Sequence, residues 1–263
     1  MPALVDTRPH RLAERLLSDR HPVPLSILLH LVPGALIVAA YLLIGEPLVD
    51  AIDYPHFAGW AIALCAVLLP ILAGLLWLGY RRNGRLALDD VLHYTGRPVP
   101  RGKLVAMVVP LILWMITLGY ALAPVSEYFL ENLFTWLPYA DTGSNGANTY
   151  LNGYSHSTTL TTMLICLPFT GFALPLIEEL YFRGFLLPRI AHLGRRAPVL
   201  NTVLFSLYHL WSPWAFVSRV LFTFPGYWLA WRHRDIRISI GMHVGSATVL
   251  ATLGTLALAL NLI

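Results

Sequence analysis

The chain has 263 residues, 57% of them hydrophobic and 12% charged, with a mean hydropathy of +0.63. A soluble domain carries about 25% charged residues, so a soluble globular protein is excluded and an all-α, polytopic transmembrane helix bundle is expected. The net charge of +4 does not point to nucleic acid, because in a membrane chain Lys and Arg collect in the connectors on one side and set the orientation.

Residues 1–24 carry Arg8, Arg11, Arg15 and Arg20, with Leu12 and Leu16, and Ala13 and Leu17, recurring at helical spacing. This predicts a cytosolic amphipathic segment, a solvated surface helix without chemistry. It lacks the apolar core of a signal peptide, so no cleaved leader is expected. Residues 25–263 read as one transmembrane bundle without internal repeat, low-complexity segment or linker. At about 20 residues per crossing, the apolar stretches give about seven spans. These are Leu25 to Ile44, Phe57 to Tyr80, Leu104 to Ala123, about Leu160 to Leu187, Val199 to Trp211, Ala215 to Trp231, and Ile238 to about Leu260.

The connectors alternate in character. Those after the second, fourth and sixth spans bear arginine. Those holding Glu46, Asp50 and Asp53, or Glu127, Glu131 and Asp141, have no basic residue; the latter includes a Gly/Ser/Asn-rich turn region from Asp141 to Gly153. The positive-inside rule then predicts a cytosolic N-terminus and an external C-terminus. The reading is an integral protein of a bacterial cytoplasmic (inner) membrane, with the lipid bilayer as its surroundings and no nucleic-acid partner. Cys65 and Cys166 both lie in apolar runs, which argues against a disulfide framework or a cysteine metal site.

The fourth span contains Glu178, Glu179 and Arg183. Ionisable groups at membrane depth are costly, and chains that keep them generally use them. Glu179 and Arg183 are four apart and share a helix face, where they can neutralise each other. Glu178 is turned about 100° away and is free to face a cavity. A purely structural role for all three, holding helices together, is the competing reading. Two histidines, His209 and His243, also lie at membrane depth. Counted from the cytosolic boundary at 1.5 Å per residue, Glu178, His209 and His243 lie roughly 14, 16 and 9 Å deep. All three fall in the cytosolic half of a hydrocarbon layer about 30 Å thick, so one cavity in that half can contain them. Arg219, deeper in the sixth span, is expected to snorkel outward toward the nearby external turn at Ser212; binding of a substrate carboxylate is its alternative.

Glu178-Glu179-x-x-x-Arg183, then Phe205-x-x-x-His209, then His243 near the start of the last span, resembles the CPBP (Abi) family, which contains CAAX prenyl endopeptidases and bacteriocin-processing or self-immunity proteins. The resemblance covers about residues 160–250. It implies an intramembrane endopeptidase acting on a membrane-associated protein or peptide, at a CAAX tail, a leader or a C-terminal tail. In that picture Glu178 and His209 activate a water, His243 helps hold the developing oxyanion, and Glu179, Arg183 and Phe205 support the site. A carboxylate base and a dry oxyanion site suit this chemistry.

One position departs from the family pattern. The family often has Asn four residues after the last histidine, whereas this chain has Ala247, with Ser246 and Thr248 beside it. Ser246 or Thr248 is the nearest substitute donor. No cofactor is expected, although Glu178, His209 and His243 also form a zinc ligand set with an open position. The His-Glu-x-x-His helix that would favour zinc is absent. Two other functions fit the same residues. A proton-coupled transporter would use the Glu and His groups as a relay, with Pro168, Pro175 and Pro225 breaking helices. A non-catalytic immunity or scaffold protein would explain Ala247.

Overall fold

Backbone N–H and C=O groups cannot stay unpaired in lipid, which leaves helices as the way for such apolar stretches to cross. A computed structural model of the chain describes residues 8–96, 98–141, 151 and 153–262, and these are predominantly helical with no strand among them. Helix α1 is Arg8–Leu17, α2 is Val23–Asp50, and α3 is His56–Asn83. Helix α4 is Arg101–Ala121 and α5 is Ala123–Phe129. Helix α6 runs from His156 to Arg189. Helices α7 (Arg196–Tyr208), α8 (Phe216–His233) and α9 (Arg237–Ala259) complete the order.

Among the described residues, α2, α3, α4, α6 and α9 are long and apolar enough to cross a membrane. The fifth and sixth expected spans correspond to α7 and α8, which are not in that set. With 13 residues, α7 extends only about 20 Å, short of a hydrocarbon layer about 30 Å thick. Its C-terminus is set by the sequence that follows. Pro213 disfavours helical geometry at Ser212, which sits at φ −150°, ψ 59°, and His209 has already left the helix at φ −74°, ψ 59°. The all-α bundle is therefore as expected, with five qualifying spans in place of seven.

The N-terminal segment is an amphipathic helix that rests on the bundle by one face, with Arg11, Leu12, Glu14 and Arg15 exposed. Within α1, Ala13 is buried and Leu16 and Leu17 pack half-buried on the core, so one face of the helix is docked. Arg189, at the end of α6, donates from Nε to the Leu16 carbonyl (3.0 Å), while its own carbonyl accepts from the His21 N–H (2.9 Å). The fixed, planar guanidinium also reaches the Phe185 and Val91 carbonyls, tying α6 to the connector that follows α3. Residues 1–7, Arg97 and most of the Gly/Ser/Asn-rich turn at 141–153 lie outside the described residues.

Two packing features position the site. Helix α9 packs on α4, α6 and α8, while α7 packs on α2 and α8. The α2–α7 contact is close because position 34 has no side chain. A Cβ on Gly34 would lie 1.9 Å from the Tyr208 carbonyl oxygen. Gly34→Ala is therefore expected to push the end of α7 away. Overpacking costs typically 1–3 kcal/mol, so the protein should melt lower in detergent, and Tyr208 and His209 should be displaced with the backbone.

Helix α6 is irregular where it matters. Widened π-helical turns at Phe169–Ala173 and Leu180–Leu186 flank the regular turn Leu174–Glu179. Such turns often occur at functional sites. Pro175 has no N–H to offer the Gly171 carbonyl one turn earlier. Thr248 of α9 donates to that carbonyl from Oγ1 at 2.7 Å. Outside the membrane layer, Asp235 joins the α8–α9 turn to the connector before α4 by accepting from the Val99 N–H (2.7 Å) and from Arg237. Burial pushes this carboxyl up, but the hydrogen bonds from Arg237 and Val99 prevail and hold it below the usual carboxylate range.

Candidate active site

Three elements converge on Glu178. Its side chain, 6% exposed, extends from the regular turn of α6, and its Oε1 accepts from the Tyr208 hydroxyl at the end of α7 (2.9 Å). Its Oε2 lies 3.9 Å from Nε2 of His243 on α9. His209 shares the same cavity of about 250 Å³ with Glu178, Phe205 and His243. Its Nδ1 meets the Phe205 carbonyl at 2.8 Å. A carbonyl can only accept, so Nδ1 carries the proton and Nε2 is an acceptor in the neutral ring.

Glu179 and Arg183 form the expected pair, with Nη1 to Oε1 at 3.1 Å and both side chains fully buried. The guanidinium also stacks over Tyr227 (3.2 Å) and Phe205 (3.8 Å), a favourable use of the ring quadrupoles. The same Glu179 oxygen receives His243 Nδ1 at 2.9 Å. The pair thus fixes the orientation of His243 and leaves Nε2 turned toward Glu178. The Phe205 ring lies between these groups, 4.7 Å from the His209 ring and 5.8 Å from that of His243.

Residues 160–249 match the family model described as Type II CAAX prenyl endopeptidase Rce1-like. The similarity covers the stretch that holds the two glutamates and both histidines. No curated protein and no solved structure matches the chain.

The matched segment contains Glu178, His209 and His243, which the fold brings to one cavity, and also groups that the sequence alone did not single out. Tyr208 is one. On a continuous helix it would project about 100° from its neighbour His209. The helix ends at Tyr208, and the change of backbone direction at His209 lets Tyr208 reach the carboxylate while His209 lines the same cavity.

Arg219 is a correction. It does not snorkel outward: it is 8% exposed, lines the cavity, and donates from Nη2 to Ser212 Oγ at 2.8 Å. Ser212, which ends the turn before α8, is what holds it inward. Ser246 is a second correction. Its hydroxyl donates to the Met242 carbonyl one turn back on its own helix (2.6 Å), and Thr248 is committed to Gly171, so neither stands in for a donor at position 247. Among the described residues, no group of three or more His, Cys, Asp or Glu side chains is arranged to hold a metal ion. Glu178, His209 and His243 share a cavity without forming a closed ligand set.

Tyr208→Phe tests the link between α7 and Glu178. A hydrogen bond to a charged group contributes about 1.5–3 kcal/mol, or roughly 10- to 150-fold. If Tyr208 orients the carboxylate, turnover should fall within that range while the melting curve stays close to wild type.

Proposed function

We propose that the chain is an intramembrane endopeptidase of the glutamate type, without a metal, that cleaves near the C-terminus of a prenylated, membrane-associated protein or peptide. The observation that carries this reading is Glu178, buried in a cavity with two histidines and oriented by Tyr208, within a segment similar to CAAX prenyl endopeptidases. We place the N-terminus and the cavity mouth on the cytosolic side, following the arginine-bearing connectors; residues 25–263 act as one bundle.

A water held between Glu178 and His209 bonds through its oxygen to the scissile carbonyl carbon and gives one proton to the Glu178 carboxylate. The carbonyl π pair moves to oxygen, and His243 donates to that oxygen when its Nε2 is protonated. The pair then returns, the C–N bond breaks, and Glu178 passes its proton to the departing amine. A base whose proton is returned in the second half of the reaction needs no other co-reactant.

The test uses full-length protein purified in detergent and a peptide with a prenylated cysteine followed by three residues. Mass spectrometry should find the released tripeptide with wild type and not with Glu178→Gln. A wild-type preparation that binds the peptide without cleaving it would instead support a non-catalytic scaffold.

A further inference from the structure

Arg219 is the cavity group that this mechanism leaves unused. Arg219 lines the same cavity as Glu178, His209 and His243. It donates to Ser212 twice, from Nη2 to Oγ (2.8 Å) and from Nη1 to the carbonyl (3.4 Å). No carboxylate forms an ion pair with it among the described residues. A guanidinium has five N–H donors, so donors remain after Ser212 is served. A buried cation with no carboxylate within ion-pair distance is costly to keep, and inside a membrane bundle such a charge marks a place where something anionic is handled.

A second observation says what that anion is. The tetrahedral intermediate needs donors aimed at its oxygen, and α9 offers few. Position 247 is alanine, Ser246 is bonded back to Met242, and Thr248 to Gly171. His243 is then the one side chain of α9 that reaches the cavity, and its Nδ1 is already engaged by Glu179.

We infer that Arg219, on α8, supplies the oxyanion donor that α9 lacks at position 247; this rests on the endopeptidase reading above. As the water oxygen bonds to the carbonyl carbon, the π pair moves onto oxygen and meets the guanidinium. When the C–N bond breaks, the pair returns and Arg219 is unchanged, having exchanged no proton. The Ser212 contacts hold the fork before the charge develops, which is what makes such a donor effective. A small cavity places any carbonyl within reach of Glu178 close to this side chain as well.

The experiment is a double-mutant cycle between positions 219 and 247, measuring kcat and KM on the prenylated peptide in free-acid and C-terminally amidated forms. Arg219→Gln should lower kcat about 10²–10³-fold, equally for both peptides and with KM little changed. Ala247→Asn should do little alone, yet recover about tenfold or more in the Arg219→Gln background, since it restores a donor by another route. A folding defect cannot produce such a rescue. Should Arg219→Gln fail to fold, Arg219→Lys runs the same cycle with the charge kept. Ser212→Ala, which leaves Arg219 in place but unanchored, should lower kcat to a smaller extent. An unchanged kcat, or an Ala247→Asn effect that is the same in both backgrounds, overturns the inference. A loss that appears in KM and only with the free-acid peptide also overturns it, making Arg219 a reader of the substrate carboxylate. If wild type cleaves neither peptide, the endopeptidase reading itself fails and takes this inference with it.

Discussion

Glu178→Gln should abolish turnover and leave the protein folded and able to bind substrate. The substitution keeps the shape of the side chain. Its amide oxygen can still accept from the Tyr208 hydroxyl, which meets Glu178 Oε1 at 2.9 Å, so the contact between α6 and α7 survives. What is lost is the proton acceptor. A positioned base contributes typically 10²–10⁴ in rate, and here the same carboxylate must also return the proton to the leaving amine, so both halves of the reaction suffer. The melting temperature should stay close to wild type, and a fluorescent prenylated peptide should bind with similar affinity. Turnover within about tenfold of wild type would remove Glu178 from the role of base. His209, whose Nε2 is an acceptor in the neutral ring, would then be the leading candidate.

The sequence carried the class of the fold because composition alone forces it. A chain with 12% charged residues has to bury its backbone polar groups in helices when it enters lipid. It also carried the convergence of Glu178, His209 and His243, since depth along a helix is arithmetic from its boundary. The lateral arrangement was much less legible. Helical spacing identified the Glu179–Arg183 pair, but that the pair also holds His243, 64 residues away, depends on how α9 packs against α6. Tyr208 was hidden because neighbouring residues on a helix point apart, and the helix end that cancels this rule is set by Ser212 and Pro213 beyond it. Arg219 was misread for a related reason. Snorkelling assumes a way out toward water, whereas the Ser212 hydroxyl and carbonyl offer a nearer partner inside. Of the seven or so expected spans, five are long and apolar enough to cross among the described residues, and α7, at 13 residues, is short for a crossing on its own.

Arg183→Ala is expected to have the largest effect on stability. It removes a fully buried guanidinium that neutralises Glu179 at 3.1 Å and stacks on Phe205 and Tyr227. Taking one partner from a buried pair costs about 3–5 kcal/mol, so the variant should give low yield and a much lower melting temperature in detergent, together with lost activity. Activity loss alone would not separate a structural role from a positioning one. The double variant Glu179→Leu, Arg183→Leu does so. Replacing both members of a buried pair by apolar groups is often neutral for stability, so melting should recover toward wild type. Turnover should not recover, because His243 Nδ1 loses the Glu179 oxygen that orients it at 2.9 Å. A double variant that regains both stability and turnover would reduce the pair to a packing element. An Arg183→Ala protein that is inactive yet melts like wild type would instead place Arg183 in the chemistry itself.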